Sequence, residues 1–439
     1  MKDNQSGIDL LYGPEERPQS IIDIILYSLQ WVFIMFYPVV WGYAIVGVNI
    51  DFSENELSAY MARVVLMIGV STLVQVLSGH KLSMVSGPSV IPSLAIVSAF
   101  SAGGKEYALH SFNAYIIAGL IVAILGAFGI ISKISTVWTP LVQGAMLLMI
   151  GLTTSVTGMN MIASDGASWP YYVGLFLALL CGWLSIKGKG LLSTIPVMIT
   201  ILLGYFAFIV GGEFNWNLVD SMPVFSVPQI FPYGLTFPPI DLIFVMVIIN
   251  LFSAINLYGN MRGFTGLLGT SLSNKDEKRS LVVFGLIDGV LTGIMGVPSY
   301  VALGENMGFL LLTKIASKFL LVIASMVFII LSFFGKVGGF MAAMPEEVAG
   351  AVLLGVASTL IGIGINSVKE GPTFEAREIF IVGFAIFFSL GTLTLPNEFF
   401  EEFPRLIATL LNNPVILVIL LVIILEQILF RTEAKKDSL

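Results

Sequence analysis

The sequence predicts an all-α membrane protein that crosses the bilayer many times. Hydrophobic residues make up 56% of the chain and charged residues only 11%, and the mean hydropathy is +0.94. A typical soluble domain carries about 25% charged residues, and its core has no room for this much apolar surface. The apolar residues also fall in separate runs of roughly 20, the length that a helix needs to span a bilayer. Together these observations exclude a soluble globular class.

About fourteen apolar runs are long enough to be spans. We place them at 21–43, 57–78, 83–99, 112–132, 138–158, 170–186, 190–211, 239–260, 281–296, 299–316, 317–334, 346–366, 377–392 and 414–430. Two of these runs, the third and the tenth, are short and lie at breaks that contain Gly87-Pro88 and Gly296 to Pro298. Because glycine and proline discourage regular helix, we expect short extended stretches to break segments 3 and 10.

The Lys and Arg residues of the short loops predict the orientation, because cytoplasmic loops carry the excess of positive charge. With the N-terminus inside, most of these residues are cytoplasmic: Arg17, Lys81, Lys133, Lys187, Lys189, Lys275, Lys278, Arg279, Lys369, Arg377, Arg431, Lys435 and Lys436. Those on the outside are Arg63, Lys105, Lys336 and Arg405. We therefore expect a multi-pass cell-membrane protein with both termini in the cytoplasm, which requires an even number of crossings.

Two short motifs recur at nearly the same offset along the chain. Gly87-Pro88-Ser89-Val90 resembles Val297-Pro298-Ser299-Tyr300, and 298 − 88 = 210; Pro140 and Pro345 begin similar segments, and 345 − 140 = 205. With seven crossings before each recurrence, the second half of the chain has the opposite orientation. We therefore predict two inverted seven-helix repeats, 1–232 and 233–439, whose broken helices meet at the bilayer centre.

One carboxylate, Glu305, stands at the entrance to the apolar run that follows the second break. A lone acid inside a hydrophobic segment is costly and is by default a functional-site hypothesis. If a half-helix begins near Glu305, the free N–H groups of its first turn form a donor-rich, partly positive end. Transporters build substrate sites at the bilayer midplane from such interrupted segments. The alternative is a helix kinked at its Gly and Pro residues, whose Glu faces a neighbouring helix or water.

The segment from Glu305 to Lys314 reads ENMGFLLLTK. It matches Gln/Glu/Pro-Asn-x-Gly, four variable residues, then Thr and Arg/Lys/Gly, which is the signature of the nucleobase/ascorbate transporters (nucleobase–cation symporter-2), a family that includes uracil and xanthine permeases. The resemblance extends along nearly the whole chain, at Tyr12, Arg17-Pro18, Gln30, Leu82 to Ser89, Pro140, Gly144, Ile150-Gly151, Asp288-Gly289, Pro345, Val348 and Gly350.

The resemblance implies a core domain that carries the substrate, from about 20–132 and 239–334, and a gate domain that forms a homodimer, from about 138–211 and 345–431. It implies a secondary active transporter that imports a nucleobase (uracil-, xanthine- or purine-like) or a similar small planar compound, by proton symport through an elevator-type mechanism. The expected partners are therefore a small-molecule substrate, H⁺ or Na⁺, the lipid bilayer and a second copy of the chain, and no nucleic acid.

The resemblance also predicts which side chains contact the substrate. By position these are Glu305, Gly304, Ser89, Val90, Asn256, Asn306 and Leu303. Three of them depart from the family pattern, since Asn256 replaces the Glu that usually hydrogen-bonds the base, and Val90 and Leu303 replace aromatic residues. Asn256 can donate and accept hydrogen bonds simultaneously, so it can still recognise an amide edge. Candidates for the missing stacking faces are Phe252, Tyr258, Tyr300 and Trp31, with ordinary helix packing as the alternative.

Coupling requires a group whose charge changes between the outward-facing and inward-facing forms. A carboxyl in a low-dielectric site can hold a proton while the site is closed and release it on hydration. Glu305 is therefore the first proton-coupling candidate. Asp288 is the second, because it is also suited to tie helices together through hydrogen bonds.

No His/Asp/Glu metal cluster, HExxH, GxSxG or acidic pair is present in the predicted spans. We therefore expect no enzyme, no metal and no cofactor. A transporter or channel of the same fold for a small anion (ascorbate, carboxylate, sulfate or bicarbonate type) stays open as an alternative. Glu305 argues against an anion unless its side chain is protonated. Passive conduction also stays open, because coupling does not show in a sequence.

Overall fold

The chain folds into helices that pack around one short pair of β-strands. The computed structural model describes residues 8–189, 192, 195–369 and 375–431. Lys435 and Lys436, assigned above to the cytoplasm, lie outside the described residues, and so does the start of the span predicted at 190–211. Most of the buried apolar side chains form one cluster that surrounds the strands. A smaller cluster around Ile162, Leu177 and Phe208 lies beside it.

The helices before residue 221 are α1 (Ile21–Met35), α2 (Tyr37–Trp41), α3 (Glu54–Leu77), α4 (Val90–Phe128), α5 (Ile130–Ile134), α6 (Pro140–Ile162), α7 (Trp169–Lys187), α8 (Pro196–Gly211) and α9 (Trp216–Asp220). Those that follow are α10 (Ile240–Leu267), α11 (Asn274–Val283), α12 (Thr292–Ile294), α13 (Asn306–Thr313), α14 (Lys318–Ser332), α15 (Gly335–Ala342), α16 (Glu346–Lys369), α17 (Ala376–Thr392), α18 (Asn397–Glu401), α19 (Arg405–Leu411) and α20 (Pro414–Ile424). Turns of π-helix extend α2, α11 and α20 at Gly42–Gly47, Phe284–Leu291 and Leu425–Leu429. A single 3₁₀ turn follows α5 at Ser135–Val137.

Many of these helices have the length and composition of membrane spans. Seven helices in the described part of the chain are long and apolar enough to cross a bilayer, and the bent pair α14–α15 would make an eighth. Two shorter apolar helices, Pro196–Gly211 and Pro414–Leu429, accompany them. The protein is therefore a multi-pass membrane protein of mainly helical structure, while the count of fourteen crossings stays a prediction.

The third and fourth predicted spans belong to one broken helix. The 39 residues of α4 would extend about 58 Å at a rise of 1.5 Å per residue, nearly twice the roughly 30 Å of a bilayer's hydrocarbon core. The helix breaks at Gly104, whose φ of 76° and ψ of −173° are open to glycine and strained for other residues. The break falls between the two predicted spans, at the loop that the sequence suggested.

The span predicted at 317–334 is shorter than expected and is followed by a sharp bend. The α14 helix ends at Ser332, and α15 runs on from Gly335 at an angle of 92°. The loop before α10 supplies hydrogen-bond partners for backbone groups at this bend. The Ser226 N–H donates to the Phe333 carbonyl at 2.9 Å, and the Gly335 N–H donates to the Val224 carbonyl at 3.2 Å. Because these partners come from a distant loop, the apolar pattern of the span did not reveal the bend.

The two strands pair with each other across more than 200 residues of sequence. Antiparallel β1 (Ser86–Pro88) and β2 (Tyr300–Ala302) place Gly87 opposite Val301. Flanking hydrogen bonds lengthen the ladder, from the Leu303 N–H to the Val85 carbonyl at 3.0 Å and from the Ser89 N–H to the Ser299 carbonyl at 3.1 Å. All the strand residues are buried, as irregular backbone at membrane depth must be unless it lines a cavity. The extended stretches predicted at both breaks are confirmed.

A second pair of elements, α6 and α16, packs backbone against backbone. Three glycines of α6 recur every seven residues, at 144, 151 and 158, and so lie along one face of the helix. A Cβ atom added to Gly350 of α16 would lie 2.4 Å from the Gly158 carbonyl oxygen, and one added to Gly144 would lie 2.8 Å from the Gly364 oxygen. Small residues permit this close approach where helices pack in membranes. The two helices therefore form a rigid pair.

Candidate substrate site

A cavity of about 280 Å³ lies between the strand pair and the α6–α16 pair. One wall comes from the start of α4, the middle of α10 and the chain from β2 into α13; the other comes from α6 and α16. The residues that line it are Ser89, Val90, Ile91, Gln143, Met146, Leu147, Ile150, Asn256, Asn260, Val301, Leu303, Gly304, Glu305, Met307, Gly308, Leu311, Leu360 and Ile363.

Two helix N-termini open into this cavity. Ser89 precedes the first residue of α4 and Glu305 precedes the first residue of α13, and neither side chain caps its own helix. The N–H groups of a helix's first turn have no partner within the helix, and they carry a partial positive charge. Since Ser89, Val90 and Glu305 all line the cavity, both partly positive helix ends face a ligand there. At α13, the N–H groups of Asn306 and Met307 already donate to the Leu303 and Gly304 carbonyls at 3.3 and 3.1 Å.

The carboxylate of Glu305 is held by an aromatic hydroxyl. The Tyr37 hydroxyl donates a hydrogen bond to Glu305 Oε1 at 3.1 Å. Glu305 is half-buried and takes part in none of the ion pairs among the described residues. The helix is interrupted at this residue, because β2 ends at Ala302 and α13 begins only at Asn306. The kinked, continuous helix of the alternative is therefore wrong, but its other part, a Glu that faces a neighbouring helix, agrees with the contact to Tyr37 on α2.

Six of the seven residues predicted to contact substrate line this one cavity: Ser89, Val90, Asn256, Leu303, Gly304 and Glu305. Their contact with a substrate stays a prediction. Asn306 does not line the cavity. Its side chain is buried; its amide donates to the carbonyls of Val85 at 3.0 Å and Leu303 at 2.7 Å, and its Oδ1 accepts from the Val85 N–H at 3.0 Å. Asn306 therefore fixes the half-helix to the strand pair.

Asp288 lies behind the strands and does not line the cavity. Its buried carboxylate accepts hydrogen bonds from Ser71 and Gln75 of α3. Its backbone carbonyl accepts a hydrogen bond from the Ser299 hydroxyl at 2.7 Å, and the Ser299 carbonyl in turn accepts from the Ser89 N–H at 3.1 Å. The residue therefore connects α3 to the backbone that carries the cavity wall.

Three polar residues that line the cavity or contact its lining were not predicted as site residues from the sequence. Asn260 lines the cavity and donates to the Ala302 carbonyl at 2.9 Å; it lies four residues after Asn256, a spacing that puts both on one helix face. Gln143 is a polar residue within a predicted span, which is a usable signal. Tyr37 gave no such signal, because the sequence does not show which group its hydroxyl meets.

The candidates for a stacking aromatic face other parts of the protein. Within the described residues, the cavity lining includes no aromatic side chain. Tyr300 is buried, and its hydroxyl donates to the Val64 carbonyl at 3.0 Å. Phe252 packs against Trp138, with ring centroids 5.9 Å apart. The flat faces of a ligand would therefore meet aliphatic side chains and those of Met146 and Met307.

Residues 22–398 match the family model Xan_ur_permease, described as Permease family. The chain belongs to this family. The resemblance to nucleobase/ascorbate transporters is thereby confirmed. Curated relatives of this permease include the uric acid permease PucJ of Bacillus subtilis (strain 168), 24% identical over 400 residues that cover 88% of each chain. Another is the xanthine permease XanQ of Escherichia coli (strain K12), 25% identical over 439 residues that cover 94% of this chain and 92% of the relative.

Solved structures share the permease's fold at low sequence identity. The transmembrane domain of the cyanobacterium bicarbonate transporter BicA superposes with a TM-score of 0.63 at 12% identity, over 92% of this chain and 99% of that one. The murine anion transporter Slc26a9, solved in its inward-facing state, gives a TM-score of 0.59 at 10% identity, over 88% of this chain and 67% of that one. The architecture described above is therefore that of known membrane transporters.

Proposed function

We propose that this permease is a secondary active transporter that imports a nucleobase, uracil- or purine-like, or a similar small planar compound. The observation that carries the proposal is the single cavity in which Glu305, Asn256 and two helix N-termini converge. Its volume, about 280 Å³, lies just below the roughly 300–1,000 Å³ of pockets that hold drug-sized ligands, so a one- or two-ring heterocycle is of suitable size. Relatives named as uric acid and xanthine permeases support the same substrate class.

The hydrogen-bonding groups of the cavity suit the edge of a base. An ionised Glu305 accepts hydrogen bonds from ring N–H groups, the helix N–H groups donate to ring carbonyls, and Asn256 does both. A binding site that left one of these ring groups unpaired would lose about 1–3 kcal/mol. The aliphatic residues Val90 and Leu303 then cover the faces of the ring in place of aromatic side chains.

The proposed mechanism is an elevator-type movement of one part of the permease past the other. The moving core domain comprises about 20–132 and 239–334, and the fixed gate domain, which forms the homodimer, comprises about 138–211 and 345–431. The position of the cavity, between the strand pair and the glycine-packed α6–α16 pair, supports this division. Each pair takes one member from 1–232 and one from 233–439, as two inverted repeats of seven spans within a fourteen-span fold require.

Coupling to protons would use two carboxyls, the half-buried Glu305 first and the buried Asp288 second. Their described partners are neutral: Tyr37 for Glu305, and Ser71 and Gln75 for Asp288. A hydroxyl can donate to a carboxylate and can equally accept from a carboxylic acid. Tyr37 therefore keeps a hydrogen bond to Glu305 whether or not the proton is present, which suits a carboxyl that alternates between the two forms.

Uptake into proteoliposomes tests the proposal. With an inward proton gradient, the wild-type permease should accumulate one or more of radiolabelled uric acid, xanthine and uracil. Glu305→Gln should abolish the pH-dependent part of this accumulation, whereas Glu347→Gln, a buried carboxyl that does not line the cavity, should retain it. Full pH-dependent accumulation by the Glu305→Gln variant would show that Glu305 does not carry the proton.

A second candidate function is transport of a small anion. The shared fold with a bicarbonate transporter and an anion transporter favours it, as do two helix N-termini facing one cavity, since such ends bind anions. Glu305 opposes it unless the carboxyl is protonated. Thermal-shift screening separates the two functions: a ligand at 100-fold its Kd adds about 2.7 kcal/mol of stability. Stabilisation by bicarbonate, sulfate or ascorbate and by no nucleobase would favour the anion.

A further inference from the structure

The α6–α16 wall of the cavity is apolar except at one position. Five of the six residues that these two helices contribute are apolar: Met146, Leu147, Ile150, Leu360 and Ile363. The sixth is Gln143, in the first turn of α6. Its backbone N–H donates to the Thr139 carbonyl at 3.0 Å. Gln143 is half-buried, and its carboxamide can both donate and accept hydrogen bonds at this otherwise apolar wall.

The backbone that carries Gln143 is well fixed. The Thr139 hydroxyl caps α6 by accepting the Val142 N–H at 3.2 Å, and it donates to Glu426 Oε2 at 2.7 Å. Pro140 occupies the first helical position, where its fixed φ suits a helix start. The side chain of Gln143 therefore projects from a rigid helix end that is tied to a second segment of the protein.

The carboxamide of Gln143 reaches across to the opposite wall. Its Oε1 lies 4.0 Å from where a Cβ atom of Gly259 would be, and Gly259 stands between Asn256 and Asn260 on α10. Within the described part of the chain, the Gln143 side chain makes no hydrogen bond. Its two donor hydrogens and its acceptor oxygen are thus available to a ligand held against α10.

We infer that Gln143 is a substrate-contacting, specificity-determining residue, which recognises a second amide-like edge of the heterocycle. This inference rests on the proposed function and deepens it. A carboxamide pairs with an adjacent ring C=O and N–H through two hydrogen bonds, and Glu305 with the helix N–H groups serves one such edge. With Gln143 facing them across the cavity, the site is built for rings that carry two or more carbonyl groups, such as uracil, xanthine and uric acid. Hypoxanthine, which has one carbonyl group, can pair with only one of these two walls of the cavity.

Ligand affinities of the purified full-length permease test this assignment. The probes are uracil, xanthine, uric acid and hypoxanthine, and the readout is Kd from calorimetry or thermal shift. The variants are Gln143→Met, which keeps the length of the side chain and removes the amide, and Gln143→Asn, which keeps the amide and shortens its reach. Met146→Leu, an apolar change on the same wall, is the matched control.

The wild-type permease should bind its best multi-carbonyl probe more tightly than hypoxanthine. Gln143→Met should raise the Kd of that probe roughly tenfold and change the Kd of hypoxanthine by less than about twofold. The reason is that only the multi-carbonyl probe loses a hydrogen-bonded edge. The ratio of the hypoxanthine Kd to the multi-carbonyl Kd should be intermediate for Gln143→Asn, between those of the wild type and Gln143→Met. Met146→Leu should leave this ratio unchanged. An unchanged ratio in Gln143→Met, or an equal loss for all four probes, would overturn the assignment while leaving the proposed function intact. If the wild type bound none of the four probes, both the role of Gln143 and the proposed function would be wrong.

Discussion

Tyr37 holds the carboxylate of Glu305 through a hydrogen bond. Its hydroxyl is 3.1 Å from Glu305 Oε1, while its ring packs edge-on against Trp41 with centroids 6.0 Å apart. Tyr37→Phe therefore removes the hydrogen bond and retains the packing. A hydrogen bond to a charged group contributes about 1.5–3 kcal/mol, so we expect substrate affinity to fall at least about tenfold, measured as Kd on purified permease.

The control for this prediction is Tyr43→Phe. Tyr43 is also buried, and its variant also loses one hydrogen bond, from the hydroxyl to the Met344 carbonyl at 2.7 Å. Unlike Glu305, however, Met344 does not line the cavity. This variant should lose thermal stability and keep the wild-type affinity. Equal affinities for wild type and Tyr37→Phe would mean that Glu305 needs no support from Tyr37.

The Asp288 carboxylate braces α3 through two hydrogen bonds. Asp288→Ala removes the acceptor of both Ser71 and Gln75 and leaves two buried donors unpaired. Each unpaired buried donor costs about 1–3 kcal/mol, so we expect a clearly lower melting temperature in detergent. Asp288→Asn retains one acceptor oxygen and should lose less. Melting temperatures that are the same for Asp288→Ala and the wild type would contradict the bracing role.

The signature motif located one wall of the site but could not assign every residue in it. Glu305 and Asn306 are neighbours in the motif, yet successive side chains at a helix start point about 100° apart, so only Glu305 faces the cavity. Asn256 and Asn260 could be grouped from their spacing of four. Tyr37 and Gln143 could not, because they lie far from residue 305 in the chain, and only the packing of α2 and α6 brings them to the site.

The close pairing of α6 with α16 makes a prediction about two glycines on one helix. Gly350→Ala would put a Cβ atom 2.4 Å from the Gly158 carbonyl oxygen, so the helices must separate. Gly362→Ala meets nothing within 4 Å and should stabilise α16 by about 0.5–1 kcal/mol, because alanine favours helix. We expect a lower melting temperature for the first variant and an equal or higher one for the second. Equal destabilisation by both would show that close packing is not the cause.

The end of the half-helix α13 explains the last position of the family signature. Lys314 is the C-cap of α13 and has a φ of 56°, a left-handed conformation that suits glycine, and glycine is one of the residues that the signature allows there. The Lys314 carbonyl accepts the Leu11 N–H at 2.8 Å, and the Ala316 N–H donates to the Tyr12 carbonyl at 2.8 Å. The N-terminal segment thus holds the end of the helix whose other end presents Glu305.

Substitutions at this cap should follow backbone geometry and not charge. Lys314→Gly should leave the melting temperature unchanged or raise it, since glycine adopts the left-handed conformation without strain. Lys314→Val should lower it by the equivalent of about 1–2 kcal/mol, because a β-branched residue is strained there. If the two variants lost the same stability, the lysine's charge would matter and its φ would not.

At the scale of the whole molecule, apolar composition and run length were enough to predict a multi-pass helical protein, and Gly-Pro breaks were enough to predict where its strands lie. The loop predicted between the third and fourth spans is a break at Gly104 within α4, whereas the bend between α14 and α15 was not predicted. The bend depends on partners remote in sequence: the loop before α10 contacts it at Phe333 and Gly335, and hydropathy along a single segment carries no information about such contacts.

The orientation across the membrane is a property of the whole molecule and is open to direct test. The loop of 212–239 contains no Lys or Arg, whereas the loop that follows α10 carries Lys275, Lys278 and Arg279. Because the 28 residues of α10 are more than enough to cross a bilayer, the two loops lie on opposite sides if α10 spans it. The positive-inside rule then puts the first loop outside and the second in the cytoplasm.

Cysteine labelling of intact cells measures this arrangement, and the sequence makes it simple because Cys181 is the single cysteine. In a Cys181→Ala background, a membrane-impermeant maleimide should label Val227→Cys and should not label Ser271→Cys until the cells are opened; both positions are exposed. The reverse labelling pattern would mean that the orientation across the membrane is the opposite one, with both termini outside. Labelling of both positions in intact cells would mean that α10 does not cross the membrane, and the division into a moving core and a fixed gate, which requires that crossing, would fall with it.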